Sequence, residues 1–216
     1  LPAGSSVLDL GSGWGNFSKY ATENFNWQIT GYTLSNAQLD YCKKLAKKSH
    51  FDKQASFEDR DMVANLPNKE FDGVVMIESI EHVGQKQLPS FFQGIKQVLK
   101  PGHLFIIQTT GRYKPRRLDR WTLKYVFPGG YLPTKDELLD AATQAGFIVE
   151  EFRDDTPDYI HTMSRWIQNL ESHRTEIEGE FGKPFYHLWE LWMHGAKVNF
   201  EIGAMNLFRL RLRRPE

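Results

Sequence analysis

The stretch VLDLGSGWGNF, Val7 to Phe17, decides the fold. Val7–Leu10 is a short apolar run interrupted only by Asp9, and it reads as a strand. Gly11, Gly13 and Gly15 follow at alternate positions, and Asn16–Glu23 has a helical pattern. Strand, glycine loop and helix together aim free backbone N–H groups and a helix N-terminus at a ligand, because glycine lets the chain turn sharply and approach closely. A dinucleotide loop reads Gly-x-Gly-x-x-Gly, with an acidic residue about twenty positions on for the ribose. Here the third glycine comes one position early. A tight strand–helix turn with no ligand is the bland alternative.

Outward from this loop, strand and helix signals alternate. Gln28–Thr33 is β-branched and aromatic, and Ser35-Asn36-Ala37-Gln38 is a capping box that opens a helix through about Ala46. Phe71–Met76 and Leu104–Gln108 read as further strands. A helix near Gln87–Leu99 lies between them and stops at Lys100-Pro101-Gly102. The series predicts an α/β fold, a doubly wound and mostly parallel sheet with helices on both faces. After Gly111 the pattern changes. Arg112–Pro133 is long, basic, aromatic and without clear period; Thr134–Glu137 is a second capping box; Phe147–Phe152 is a strand. Tyr159–Phe200 reads as aromatic helices. Phe208–Arg213 alternates strictly and predicts an antiparallel C-terminal strand at or near a sheet edge, with its arginines wet.

The bulk numbers narrow the class. A chain of 216 residues with 40% hydrophobic content suits one large domain, residues 1–216, and no run approaches a membrane span. The 27 basic and 27 acidic residues cancel, so no nucleic-acid partner is expected. The single cysteine, Cys42, excludes an internal disulfide and a cysteine-based zinc site; it fits a reducing cytoplasm, and no signal peptide is apparent. The start at Leu1-Pro2-Ala3-Gly4, directly ahead of the first strand, reads as trimmed, with an N-terminal segment missing.

The loop, with Asp9 before it, resembles motif I of class I S-adenosylmethionine-dependent methyltransferases. The resemblance implies their Rossmann-like fold and S-adenosyl-L-methionine as cofactor, held near Asp9, Gly11, Ser12, Gly13 and Gly15. TLSNAQ, Thr33 to Gln38, resembles the Thr-Leu-Ser-x-x-Gln of one subgroup, which implicates Tyr32, Thr33 and Gln38; a plain helix cap is compatible with both. Asp59 and Arg60 fall where such folds contact the adenine, and a solubilising turn is an equal reading.

Three further stretches narrow the subgroup: ESIEHVG (Glu78–Gly84), WTLKYVFPGGYLP (Trp121–Pro133) and DYIHTMSRW (Asp158–Trp166). In this order they resemble the family of cyclopropane-fatty-acid synthases and mycolic-acid cyclopropane synthases. The resemblance implies methyl or methylene transfer to a carbon of an unsaturated lipid acyl chain, with residues 112–133 and 159–200 covering the substrate. Methylation of an alkene leaves a carbocation, which requires negative or π-electron density, exclusion of water and a base. Glu81, Tyr159 and His82 are the candidate catalytic residues. Gln108, Trp121, Tyr125, Phe127 and Trp192 are candidates for the substrate or anion pocket, although each aromatic singly has a packing role as its alternative, and His82 a structural one.

Departures from the family count too. Ser12 stands where relatives show cysteine, Gln108 where they show histidine, and Leu191-Trp192 near a Tyr-Tyr pair. In relatives those groups join the glutamate around a bicarbonate ion thought to act as the base, so the departures argue against bicarbonate here. Competing readings are a small-molecule amine N-methyltransferase of the same fold and a cofactor-binding protein without catalysis. The expected partner is an unsaturated phospholipid or other lipid, with peripheral membrane contact through Arg112–Arg117 and a homodimer left open.

Overall fold

The computed structural model describes all residues, 1–216. Seven strands form one sheet in the order β3-β2-β1-β4-β5-β7-β6. The first five in chain order are β1 (Ser6–Leu10), β2 (Gln28–Thr33), β3 (Ala55–Asp59), β4 (Phe71–Ile77) and β5 (Leu99–Gly111), and they pair in parallel. β6 (Ile148–Asp154) and β7 (Asn206–Arg213) close the sheet antiparallel. Val7, Leu8 and Leu10 of β1 are buried because helices cover both faces of a central parallel strand. One face packs on α1 (Asn16–Phe25) and α2 (Asn36–Lys48), through Ala21, Leu39, Cys42 and Ala46. The other packs on α3 (Leu88–Val98) and α5 (Lys135–Gln144), around Phe91, Phe92, Phe105 and Phe147. The remaining helices are the short α4 (Arg120–Tyr125), α6 (Thr156–Ser172), α7 (Arg174–Phe181) and α8 (Lys183–Glu201). No helix is long and apolar enough to cross a membrane.

Several expectations meet differences with physical causes. The antiparallel C-terminal strand is present but lies one place in from the edge, and β6 is outermost. Its arginines are therefore not simply wet: Arg211 and Arg213 pair with Glu150, and Arg209 with Asp155. The Thr134 box is complete, with Thr134 accepting from the Glu137 backbone and Glu137 accepting from the Thr134 backbone. The Ser35 box is only half made. Ser35 Oγ accepts from Gln38 N, but the Gln38 side-chain Oε1 accepts from Thr33 Oγ1 at 2.7 Å instead of reaching the Ser35 backbone. Lys100-Pro101-Gly102 does not separate helix from strand: β5 starts at Leu99, and these residues sit in an irregularity between the Phe71–Leu99 and Gly73–Leu104 pairs. The aperiodic segment 112–133 contains α4, capped by Asp119 accepting from Thr122 N.

Candidate active site

The site is assembled at the C-terminal ends of the parallel strands, where strand order reverses between β1 and β4 and leaves a crevice. Gly11, Gly13 and Gly15 all have positive φ. A side chain at Gly11 would collide with Ser79, and one at Gly15 would crowd the Cys42 thiol, whereas nothing lies within 4 Å of a Cβ at Gly13. The two outer glycines are thus required by packing, and the middle one faces open space, as a cradle for a ligand does. Asp9 lies beneath the loop, 2% exposed; burial raises its pKa to about 7 against the opposing hydrogen bond from Ser18. At the end of β2 the Thr33–Gln38 bond fixes both side chains. Arg60 donates to the Tyr32 hydroxyl at 3.2 Å and pairs with Glu58, while the Tyr32 ring is in the core. Asp59, opposite Thr33 in register, is exposed. Ser12 is turned away from the crevice: its Oγ donates to the Tyr32 carbonyl and its Cβ faces Gly31.

Beside this cradle is a cavity of about 640 Å³, within the range of small-molecule sites. Segment 112–133 and helices α6 and α8 wall it. Glu81, His82, Trp121, Phe127, Tyr159 and Trp192, all expected from sequence, line it together. Tyr125 does not; it is half exposed, beside Trp121 and under Lys124. Gln108 does not line it either. Phe127 and Trp192 meet edge to face at 5.3 Å, so the long segment closes onto α8. Tyr159 packs on Trp166 and Phe200. His82 is exposed, on the short turn Ile80–His82, with no hydrogen bond to its ring.

Two carboxylates meet at this cavity. Glu81 Oε1 accepts from Thr109 Oγ1 at 2.6 Å and from Thr110 N at 2.8 Å, while its buried Oε2 has no partner. Glu78 accepts from Thr110 Oγ1 at 2.9 Å and from Gln108 Nε2 at 3.3 Å. Burial raises both, and the Glu78 charge raises Glu81 further. Burial, helped by these carboxylates, also pushes the Tyr159 phenol above its ordinary range, so it stays protonated. Ser79 ties the pair to the cradle, since its hydroxyl donates to the Leu10 carbonyl at 2.6 Å and its Cβ fills the space at Gly11. Glu78 and Arg112 were not singled out in the sequence as site residues. Glu78 lies in the quoted ESIEHVG, and its signal is visible only in the backbone: φ is +52°, rare for a non-glycine residue. Arg112 is 7% exposed, bonded through Nη1 to the Arg116 carbonyl, and lines the cavity with Arg116 and Arg117.

The sheet order, the glycine cradle and the carboxylates beside it define a class I S-adenosylmethionine-dependent methyltransferase fold. Residues 1–210 match the mycolic acid cyclopropane synthetase family, and the chain belongs to it. It is 27% identical over 214 residues to the cyclopropane-fatty-acyl-phospholipid synthase of Escherichia coli K12, covering 97% of this chain and 53% of that protein. It is 28% identical over 228 residues to the sphingolipid C9-methyltransferase of Komagataella phaffii, covering 99% and 47%. The chain thus spans about half the length of these curated relatives. Among solved structures, the cyclopropane synthase MmaA2 from Mycobacterium tuberculosis superposes with a TM-score of 0.93 at 21% identity, over 99% of this chain and 79% of that one. The mycolic acid cyclopropane synthase CmaA1, solved with S-adenosylhomocysteine, gives 0.91 at 22%, over 99% and 79%. The residues around the crevice fit S-adenosylmethionine: the left-handed Gly13 leaves open space and the braced Thr33–Gln38 pair offers polar groups, on a loop supported from beneath by Asp9.

Proposed function

We propose that this domain transfers the methyl group of S-adenosylmethionine to a carbon of a double bond in a lipid acyl chain. The observation that carries the proposal is the aromatic cavity beside the cradle, with the Glu78–Glu81 pair on its wall. The bound cofactor supplies a methyl group on a positively charged sulfur, electrophilic enough for a neutral alkene held in line. Gly13, Thr33 and Gln38 would hold it, with Asp9 bracing the loop from beneath and Tyr32, Asp59 and Arg60 at the ends of β2 and β3 beside it. The chain's work is then to keep a carbocation alive and to remove a proton. The ring faces of Tyr159, Trp121, Phe127 and Trp192 favour positive charge and exclude water. The carboxylate pair supplies the negative charge, which in a water-poor site acts far more strongly than in solution.

The relatives support a lipid: one is named for fatty-acyl phospholipid, another for sphingolipid. Arg112, Arg116 and Arg117 on the cavity wall suit an anionic headgroup. The test incubates purified protein with methyl-labelled cofactor and monounsaturated phospholipid vesicles, followed by mass spectrometry of the acyl chains. A mass gain on the acyl chain is expected. Label appearing only in a soluble amine would replace this reading with amine N-methylation, which the paired carboxylates and aromatic wall also accommodate. Cofactor binding with no transfer to any acceptor would indicate a non-catalytic binding protein.

A further inference from the structure

The bicarbonate ion of the family resemblance does not fit the residues present. Ser12 Oγ is spent on the Tyr32 carbonyl. Gln108 is engaged at both ends, donating through Nε2 to Glu78 and accepting through Oε1 from Arg209 Nε at 2.9 Å. Trp192 is held edge-on to Phe127 and offers only an indole N–H. The Glu78 carboxylate already sits beside Glu81, and a further anion next to two buried carboxylates is repelled by them. The negative charge must come from the chain.

Glu78 is built for this. Its backbone is held at φ +52°, a conformation costly for a residue with a Cβ, and its N–H donates to the Gln108 backbone carbonyl at 2.9 Å. Each carboxylate oxygen has a donor, Gln108 Nε2 on one and Thr110 Oγ1 on the other. Arg209, itself paired to Asp155 at 2.9 Å, stands one amide away behind Gln108. Glu81 lacks this support at Oε2. The Glu78 charge opposes ionisation of Glu81, so the two titrate as a pair, and the donors on both Glu78 oxygens favour Glu78 as carrier of the charge and Glu81, with its Oε2 unpartnered, as the protonated partner.

We infer that Glu78 is the catalytic base, oriented by Gln108 and Arg209, in the place of an added anion; this rests on the lipid reading above. The substrate's π pair forms the carbon–carbon bond to the methyl carbon while the carbon–sulfur bond breaks and its pair stays on sulfur. The neighbouring carbon is left positive. Glu78 takes a proton from the new methyl, and the freed C–H pair closes a three-membered ring. Loss of a proton from an adjacent chain carbon gives instead an alkene bearing the new group. Product release lets Glu78 pass the proton to water.

The experiment compares the wild-type protein with Glu78→Gln and Glu78→Gly on monounsaturated phospholipid vesicles. Glycine suits the left-handed backbone and leaves room for an external carboxylate. Both variants are expected to keep the fold and the cofactor affinity while kcat falls about 100-fold or more, the usual range for a lost general base. Sodium formate is expected to restore about tenfold in Glu78→Gly, by supplying a base of the same chemistry. Arg209→Met tests the positioning role. The titratable groups whose charge bears on Glu78 are Glu81, Tyr159 and Arg209, with His82, Arg112, Arg116, Arg117 and Asp119 on the same cavity. Losing the arginine should raise the Glu78 pKa and move the acid limb of the kcat profile to higher pH. Either glutamate variant within about threefold of wild-type kcat overturns the inference. So does a dead Glu78→Gly that formate cannot help, or an unmoved limb in Arg209→Met. A wild-type protein that leaves lipid unlabelled overturns the lipid reading itself, a separable failure.

Discussion

At residue scale, Asp9 is legible in sequence as the acid before the glycines, but its electrostatic state is not. Burial raises its pKa to about 7. The unfolded chain releases this proton at the ordinary aspartate value, so between that value and about 7 the folded state binds more protons. Its contribution is fully present at low pH and is lost as pH rises through that window. We expect Asp9→Asn to flatten this part of the stability profile, measured as urea midpoints across the window without cofactor. An unchanged slope would show that Asp9 is already ionised in the fold. Ser12 teaches the reverse lesson. It stands at the family's cysteine position, yet its hydroxyl donates to the backbone of β2. Glu78 lies three residues from Glu81, but its place at the site depends on a positive φ that sequence does not display.

At the scale of elements, the capping residues were readable because each cap is settled within four residues. Thr134 and Glu137 satisfy each other in the predicted reciprocal box. The Ser35 box failed to close because Thr33, on the preceding strand, reaches Gln38 first. The long segment and α8 behave differently, since their meaning lies in the contact between them. Phe127 and Trp192 are 65 positions apart (192 minus 127) and meet at 5.3 Å over the cavity. Removing the indole should open this closure while α8 stays anchored through Tyr186, Ala196 and Phe200. Trp192→Ala is therefore expected to raise the lipid KM about tenfold, equivalent to about 1.4 kcal/mol of lost contact, with cofactor affinity unchanged by calorimetry. A weakened cofactor site instead would mean that α8 supports the cradle.

At the scale of the molecule, the charges cancel, so any attraction to a surface must come from a local patch. Arg116 and Arg117 line the same cavity as the exposed Phe127, Trp166 and Leu191. Cation and apolar ring together suit the interface of an anionic bilayer, from which an acyl chain could enter. Cosedimentation with vesicles containing anionic phospholipid should weaken with added salt and with the double change Arg116→Ala, Arg117→Ala. Binding that is indifferent to both would place the contact elsewhere.

The sequence by itself determined the strand–glycine–helix unit, most of the element order, the parallel half of the sheet and the family, because each depends on residues close together in the chain. It also named Glu81, Tyr159 and most of the aromatic wall, through motifs of fixed spacing. Only the tertiary structure decided that β7 lies inside β6, that Tyr125 and Gln108 stay off the cavity, and that Glu78 joins Glu81 there. The physical reason is separation. The Arg209–Gln108 bond spans 101 residues and the Gln108–Glu78 bond 30. The charge balance they set exists only when β4, β5 and β7 lie side by side.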